Sequence, residues 1–119
     1  MSQVPDFAGQ LLPEHMAELK KRGYASVINN RPDGEEAGQP TSAQVEAAAR
    51  EQGLSYVHQP IVPGQMSEFD MEAFARHFAE LNKPVMMFCR TGNRSSTLYQ
   101  GALDRGMLDA GEDPVHEPS

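Results

Sequence analysis

The chain is 119 residues long, 39% hydrophobic, with a formal net charge of -7, which fits one globular domain with a modest core and leaves no room for a second. Its single cysteine excludes an internal disulfide, and nothing near it resembles paired Cys or His metal ligands, so the thiol is either buried filler or chemistry in a reducing compartment. The acidic balance opposes nucleic acid or an anionic membrane as the main partner, because a phosphate surface needs a basic face.

MSQVPDFAGQLLPEHM holds no basic segment followed by an apolar run, and no stretch approaches membrane-spanning length, so a soluble, cytoplasmic protein is expected. PEHMAELKKRG then predicts a first helix. Pro13 suits its first position, and Lys20, Lys21 and Arg22 suit the negative end of its dipole. Leu12, Met16 and Leu19 form its apolar stripe. Tyr24 to Asn29, YASVIN, is β-rich and short and reads as a strand; NRPDGEEAGQP after it is a polar loop. Thr41 and Gln44 make a capping box for an alanine-rich helix that Gly53 stops.

LSYVHQPIV reads as a second strand, halted by Pro60 and Pro63. Ser67 and Asp70 repeat the cap pattern, and Met71, Phe74, Phe78 and Leu81 share one helical face. Pro84 to Phe88, PVMMF, is the continuous apolar run of a strand buried on both faces of a parallel sheet, with Met86 and Met87 as core filler. A last helix is expected from Ser95 or Ser96 to about Arg105. The fold class is α/β: a small single domain, a mostly parallel sheet flanked by helices. Residues 1–105 form the expected catalytic domain and 106–119 an acidic flexible tail apart from the chemistry.

Cys89 is the first residue after the most buried strand, where ligands bind in open α/β sheets. The loop after it, Arg90, Thr91, Gly92 and Asn93, turns at the glycine and leads to Arg94 and Ser95 at a helix start. Helix amides, the dipole and the Arg94 guanidinium all favour a thiolate, the condition for a nucleophilic cysteine. A lone cysteine at a strand end is often inert filler. A solvated turn explains Arg90 well and Arg94 poorly. Ser95 and Ser96 could donate to the thiolate or simply cap the helix, His58 reads as a strand histidine with its hydrogen bonds satisfied, and His15 and His77 receive no role.

FCRTGNRSS resembles the active loop of rhodanese-type sulfurtransferases. Together, VINNRPDGEE, YVHQPIV and KPVMMFCRTGNRS resemble the beta-lactamase-hydrolase-like, phosphatase-like family, a bacterial group related to dual-specificity phosphatases, over about Gln10 to Leu103. The resemblance implies a phosphatase-like α/β fold, a nucleophile at Cys89, an oxyanion-binding arginine at Arg94 and an anion cradle from the loop amides of Arg90 to Arg94. It leaves the reaction open between phosphate and sulfur.

Cysteine phosphatases typically place five residues between nucleophile and arginine, whereas here four separate Cys89 from Arg94, a spacing that resembles rhodanese. No acid stands between His58 and Ser67 to protonate a leaving oxygen, and Asp70 suits a helix cap. An acid or binding group could come instead from Arg31, Asp33, Glu35 or Glu36 in RPDGEE.

The leading expectation is therefore sulfane sulfur transfer through a Cys89 persulfide, from a small anionic sulfur donor to a thiol acceptor, with no cofactor and no metal. The alternative is a phosphatase that acts on a phosphoester through a cysteinyl-phosphate. A third reading is a non-catalytic anion or redox sensor. Neither nucleic acid nor membrane is expected as a partner.

Overall fold

The computed structural model describes residues 4–108, and its first element, β1 (Asp6–Ala8), is one that the sequence pattern does not announce. A short 3-10 turn at Pro13–His15 leads into α1 (Met16–Lys21). There follow β2 (Ser26–Asn29), α2 (Ser42–Glu51), β3 (Ser55–His58), α3 (Glu68–Glu80), β4 (Val85–Phe88) and α4 (Asn93–Asp104). The four strands form one parallel sheet in the order β1-β4-β2-β3.

The two central strands are buried throughout, and their alternating side chains divide the core in two. Val27, Met86 and Phe88 pack with Met16, Leu19, Val45 and Ala49 of α1 and α2. Ile28, Val85 and Met87 face the other way, onto Met71, Phe74, Phe78, Leu98 and Ala102 of α3 and α4. The step from β2 to β3 and the step back from β3 to β4 run in opposite directions, and their helices cover opposite faces. That is the arrangement one hand of crossover requires.

The same geometry makes a crevice. β2 and β4 are neighbours, yet the chain leaves β2 toward the α2 face and leaves β4 toward the α4 face. The loops diverge at the carboxyl ends of these two strands, the switch point where ligands bind in open sheets.

Both capping boxes form. Gln44 donates its amide to Thr41 Oγ1 at 3.2 Å and accepts from the Thr41 amide at 2.9 Å, and Asp70 Oδ2 accepts from the Ser67 amide at 2.9 Å. Three boundaries differ from the sequence reading. β2 begins at Ser26 rather than Tyr24, because the amides of Ala25 and Ser26 both turn to the Pro84 carbonyl. β3 ends at His58, and the chain beyond it bends over the crevice so that the Ile61 amide reaches the Asn30 carbonyl at 2.8 Å. α4 begins at Asn93, with Gly92 as its cap at φ 94, so Arg94 belongs to the helix's first turn.

At the other end of the chain, Met107 and Leu108 pack against the second core cluster, and the Met107 amide donates to the Ala102 carbonyl at 3.0 Å. The rest of the expected tail, residues 109–119, lies outside the described residues. Among the described residues no helix is long and apolar enough to cross a membrane.

Candidate active site

Cys89 follows β4 directly and is fully buried. Its amide donates to the Ala8 carbonyl of β1 at 3.3 Å, and the Gln10 amide donates to the Arg90 carbonyl at 3.2 Å, so the unannounced strand continues as a brace along the loop. The loop then folds back over the sulfur. Gly92 donates its amide to Cys89 Sγ at 3.0 Å. Burial pushes the thiol up, but the amides of Ser95, Thr91 and Gly92 and the Ser95 hydroxyl oppose it and leave the thiol below its ordinary value.

Gly92 is the residue this geometry demands. Its φ of 94 lies in the left-handed region, and a Cβ there would come 3.3 Å from the Ala8 carbonyl oxygen. Gly92→Ala is therefore expected to cost about 1–2 kcal/mol of stability. It should also slow alkylation of Cys89 at neutral pH several-fold, because the displaced amide no longer holds a thiolate. Urea unfolding and iodoacetamide kinetics check the two effects.

Beside the sulfur lies a charged network from both diverging loops. Arg94 Nη1 and Nη2 donate to the two oxygens of Glu35 at 2.8 and 2.9 Å, and Nη1 also reaches the Ile61 carbonyl at 2.8 Å. Arg31 Nε donates to the same carboxylate at 2.8 Å. Hydrogen bonding from Arg94 lowers the Glu35 carboxyl most, burial opposes this, and Arg31 adds to the lowering, so that it titrates at about 2. Arg31 is nearly inaccessible, its side chain 3% exposed, with further bonds to Gln10 Oε1 and Glu36 Oε1 at 2.9 Å each. Arg90 faces exposed Glu36 at 3.9 Å, a solvated pair of little energetic weight.

These groups line an open depression with Pro63, Gly64, Thr91 and Asn93. The structure thus brings together Arg31, Glu35, Arg90, Thr91, Asn93 and Arg94 around the loop that holds Cys89, Gly92 and Ser95. The placement of three expected site residues is specific. Glu35 holds the Arg94 guanidinium in a bidentate pair, while the backbone amides and the Ser95 hydroxyl are the groups that lower the thiol against its burial. Glu35 stands at the mouth between two guanidiniums, which hold its carboxyl well below the ordinary carboxylate range. Asp33 is drawn to the start of α2, where Oδ1 accepts from the Ser42 amide at 2.7 Å.

His58 shares a hydrogen bond with the Arg31 carbonyl at 2.9 Å and helps shape that loop. The sequence reading missed Asn29 and Asn30. Asn29 Oδ1 accepts from the Arg31 amide at 2.8 Å, and Asn30 is fully buried next to Ser95. Two successive asparagines at the end of a buried strand were the available signal, since a buried amide side chain must have partners. Among the described residues no group of three or more His, Cys, Asp or Glu could hold a metal ion.

Residues 3–105 match the family described as beta-lactamase hydrolase-like protein, phosphatase-like domain. A beta-lactamase hydrolase-like protein of Xylella fastidiosa is 39% identical over 92 residues, which cover 77% of this chain and 21% of that protein. The chain thus spans about a fifth of the curated relatives it matches. A solved candidate phosphatase from Neisseria meningitidis superposes with a TM-score of 0.77 at 30% identity, over 87% of this chain and 74% of that one. TpbA of P. aeruginosa, solved in complex with pTyr, has a TM-score of 0.59 at 16% identity, covering 93% of this chain and 74% of that one, a likeness of fold alone. With its α/β sheet, its crevice and its cysteine loop, the chain belongs to the phosphatase-like domain family of the beta-lactamase hydrolase-like proteins.

Proposed function

We propose that the domain hydrolyses a phosphoester through a cysteinyl-phosphate on Cys89. The observation that carries this reading is the buried sulfur that accepts the Gly92 amide at 3.0 Å, with its thiol below the ordinary value, at the switch point of the sheet. Family membership and the fold of the candidate phosphatases support it. The thiolate attacks phosphorus, the bond from phosphorus to the ester oxygen breaks, and the oxygen leaves with the electron pair. Water then attacks the phosphoryl group, and the sulfur leaves as the thiolate. Loop amides face the developing charge, and Arg94 with Arg90 gives the mouth a cationic wall.

No protonated acid lines the depression, since Glu35 is ionised and Asp33 caps α2. The substrates that fit are those whose leaving group is stable as an anion, aryl or acyl phosphates rather than alkyl esters. TpbA, solved with pTyr, has met an aryl phosphate on the same fold. A free nucleophilic thiol suits a reducing compartment such as the cytoplasm.

Two observations favour a second reading, the sulfur transfer first expected. The short spacing from Cys89 to Arg94 and the acid-free mouth both suit a reaction in which sulfite or a thiolate leaves unaided and sulfur stays on Cys89 as a persulfide. The relatives lend this reading no support. Intact mass after incubation with an aryl phosphate, and separately with thiosulfate, decides between them when turnover of each is followed alongside. Phosphate release with a phosphoryl group trapped on Cys89 establishes the first reading. A gain of one sulfur atom, passed on to a thiol acceptor without phosphate release, replaces it with the second.

A further inference from the structure

Beneath the charged mouth a buried polar chain continues from Ser95 to groups that no step above uses. Ser95, in the first turn of α4, is fully buried; its hydroxyl donates to Asn30 Oδ1 at 2.8 Å and also faces the Cys89 sulfur. Asn30, just after β2, is fully buried as well. Its side-chain nitrogen donates to the Gln59 carbonyl at 3.0 Å, and its backbone amide donates to the Phe88 carbonyl at 2.8 Å, one residue before the cysteine. Asn30 is thus fixed on two sides and aimed at Ser95.

A serine hydroxyl has one hydrogen to give and two lone pairs to receive. Two acceptors, the Asn30 oxygen and a thiolate sulfur, therefore compete for one hydrogen. When the sulfur is a thiol the chain is complete: S–H donates to the Ser95 oxygen, Ser95 to Asn30, and Asn30 to the Gln59 carbonyl. When the sulfur is a thiolate, Ser95 must either turn away from Asn30, leaving a buried oxygen without a partner, or leave the sulfur with one donor fewer. Both outcomes are unfavourable among groups that are fully buried.

We propose that Asn30 is a positioning residue that acts through Ser95, holding the Ser95 hydrogen away from Cys89 while the sulfur is protonated or carries a transferred group, and yielding it when the thiolate leaves. No proton changes owner in this step; only the direction of the O–H bond rotates. The part concerning the transferred group rests on the covalent mechanism proposed above, whereas the part concerning the free thiol does not.

The test is the pH profile of Cys89 alkylation by iodoacetamide in the free protein. Asn30→Ala removes the rival acceptor, so the midpoint should fall by about half a unit, roughly threefold more thiolate on the acid side. Ser95→Ala removes the shared hydrogen, so the midpoint should rise, and adding Asn30→Ala to it should shift nothing further. Because Asn30→Ala also strips a partner from the Gln59 carbonyl, the isosteric Asn30→Asp is measured beside it. Its stronger acceptor should raise the midpoint, and the rise should be smaller with Ser95→Ala present, whereas a pure charge effect would persist in full.

Around the loop, Asp6 of β1, Arg31, Glu35 and Glu36 after β2, His58 of β3, and Arg90 and Arg94 stay unchanged in every variant. An Asn30→Ala midpoint that is unchanged or raised, or an Asn30→Asp shift indifferent to Ser95, overturns the proposal. The stated shifts in a protein that turns over neither aryl phosphate nor thiosulfate would uphold the competition at the free thiol and overturn the function proposed above.

Discussion

Cys89→Ser is expected to cut turnover by about a thousandfold or more on whichever donor the wild-type protein uses. The cradle of amides and the Ser95 hydroxyl lowers the thiol below its ordinary value, but a serine hydroxyl starts too far above neutrality for the same contacts to ionise it. Oxygen is close to sulfur in shape, and the site is fully buried, so stability should change by no more than about 1 kcal/mol. Steady-state kinetics and urea unfolding on the same preparation separate the two effects. Wild-type turnover by a folded Cys89→Ser protein would falsify the nucleophile assignment.

Glu35→Gln should give the largest loss of stability, about 2–4 kcal/mol. One carboxylate serves as counter-ion to two guanidiniums, and Arg31 is almost wholly buried, its side chain 3% exposed. Without that charge Arg31 retains only the solvated Glu36 as a counter-ion. The deficit should depend on acidity in a defined direction. Folding holds Glu35 at about 2, below the ordinary 4.5, so its contribution is complete above the ordinary value and is lost as pH falls toward the folded one. Unfolding curves for the two proteins should therefore lie far apart at neutral pH and converge across that acid window. A gap that stays constant throughout would show that shape rather than charge links Glu35 to its arginines.

The strands and helices that carry a strong local signal were legible in the sequence. The apolar run of β4, the capping boxes at Thr41 and Ser67, and the thiol placed at the end of the most buried strand each follow from neighbours a few positions apart. β1 was not legible, because three residues with no apolar alternation become a strand only when β4 is there to pair with. The partner of Arg94 lies 59 positions away in the chain, and which carboxylate of RPDGEE meets it depends on the path of a loop that Asp33 pins to α2. Which member of RPDGEE would pair with Arg94 therefore could not be read from the sequence. Asn30 escaped notice for a similar reason, since its role appears only when Ser95, a distant residue, turns out to be buried beside it.

β1 has a practical meaning for anyone handling this domain. Asp6, at its start, accepts a hydrogen bond from the Tyr24 hydroxyl, and the carbonyl of Ala8, at its end, accepts from the backbone amide of Cys89. Among the described residues it is an outer strand of the sheet, paired with β4 alone, so its position and that of the Cys89 amide are linked. An affinity tag or a fused neighbour placed immediately ahead of Asp6 therefore acts as a lever on reactivity, and a spacer of flexible residues there serves as mechanical insulation.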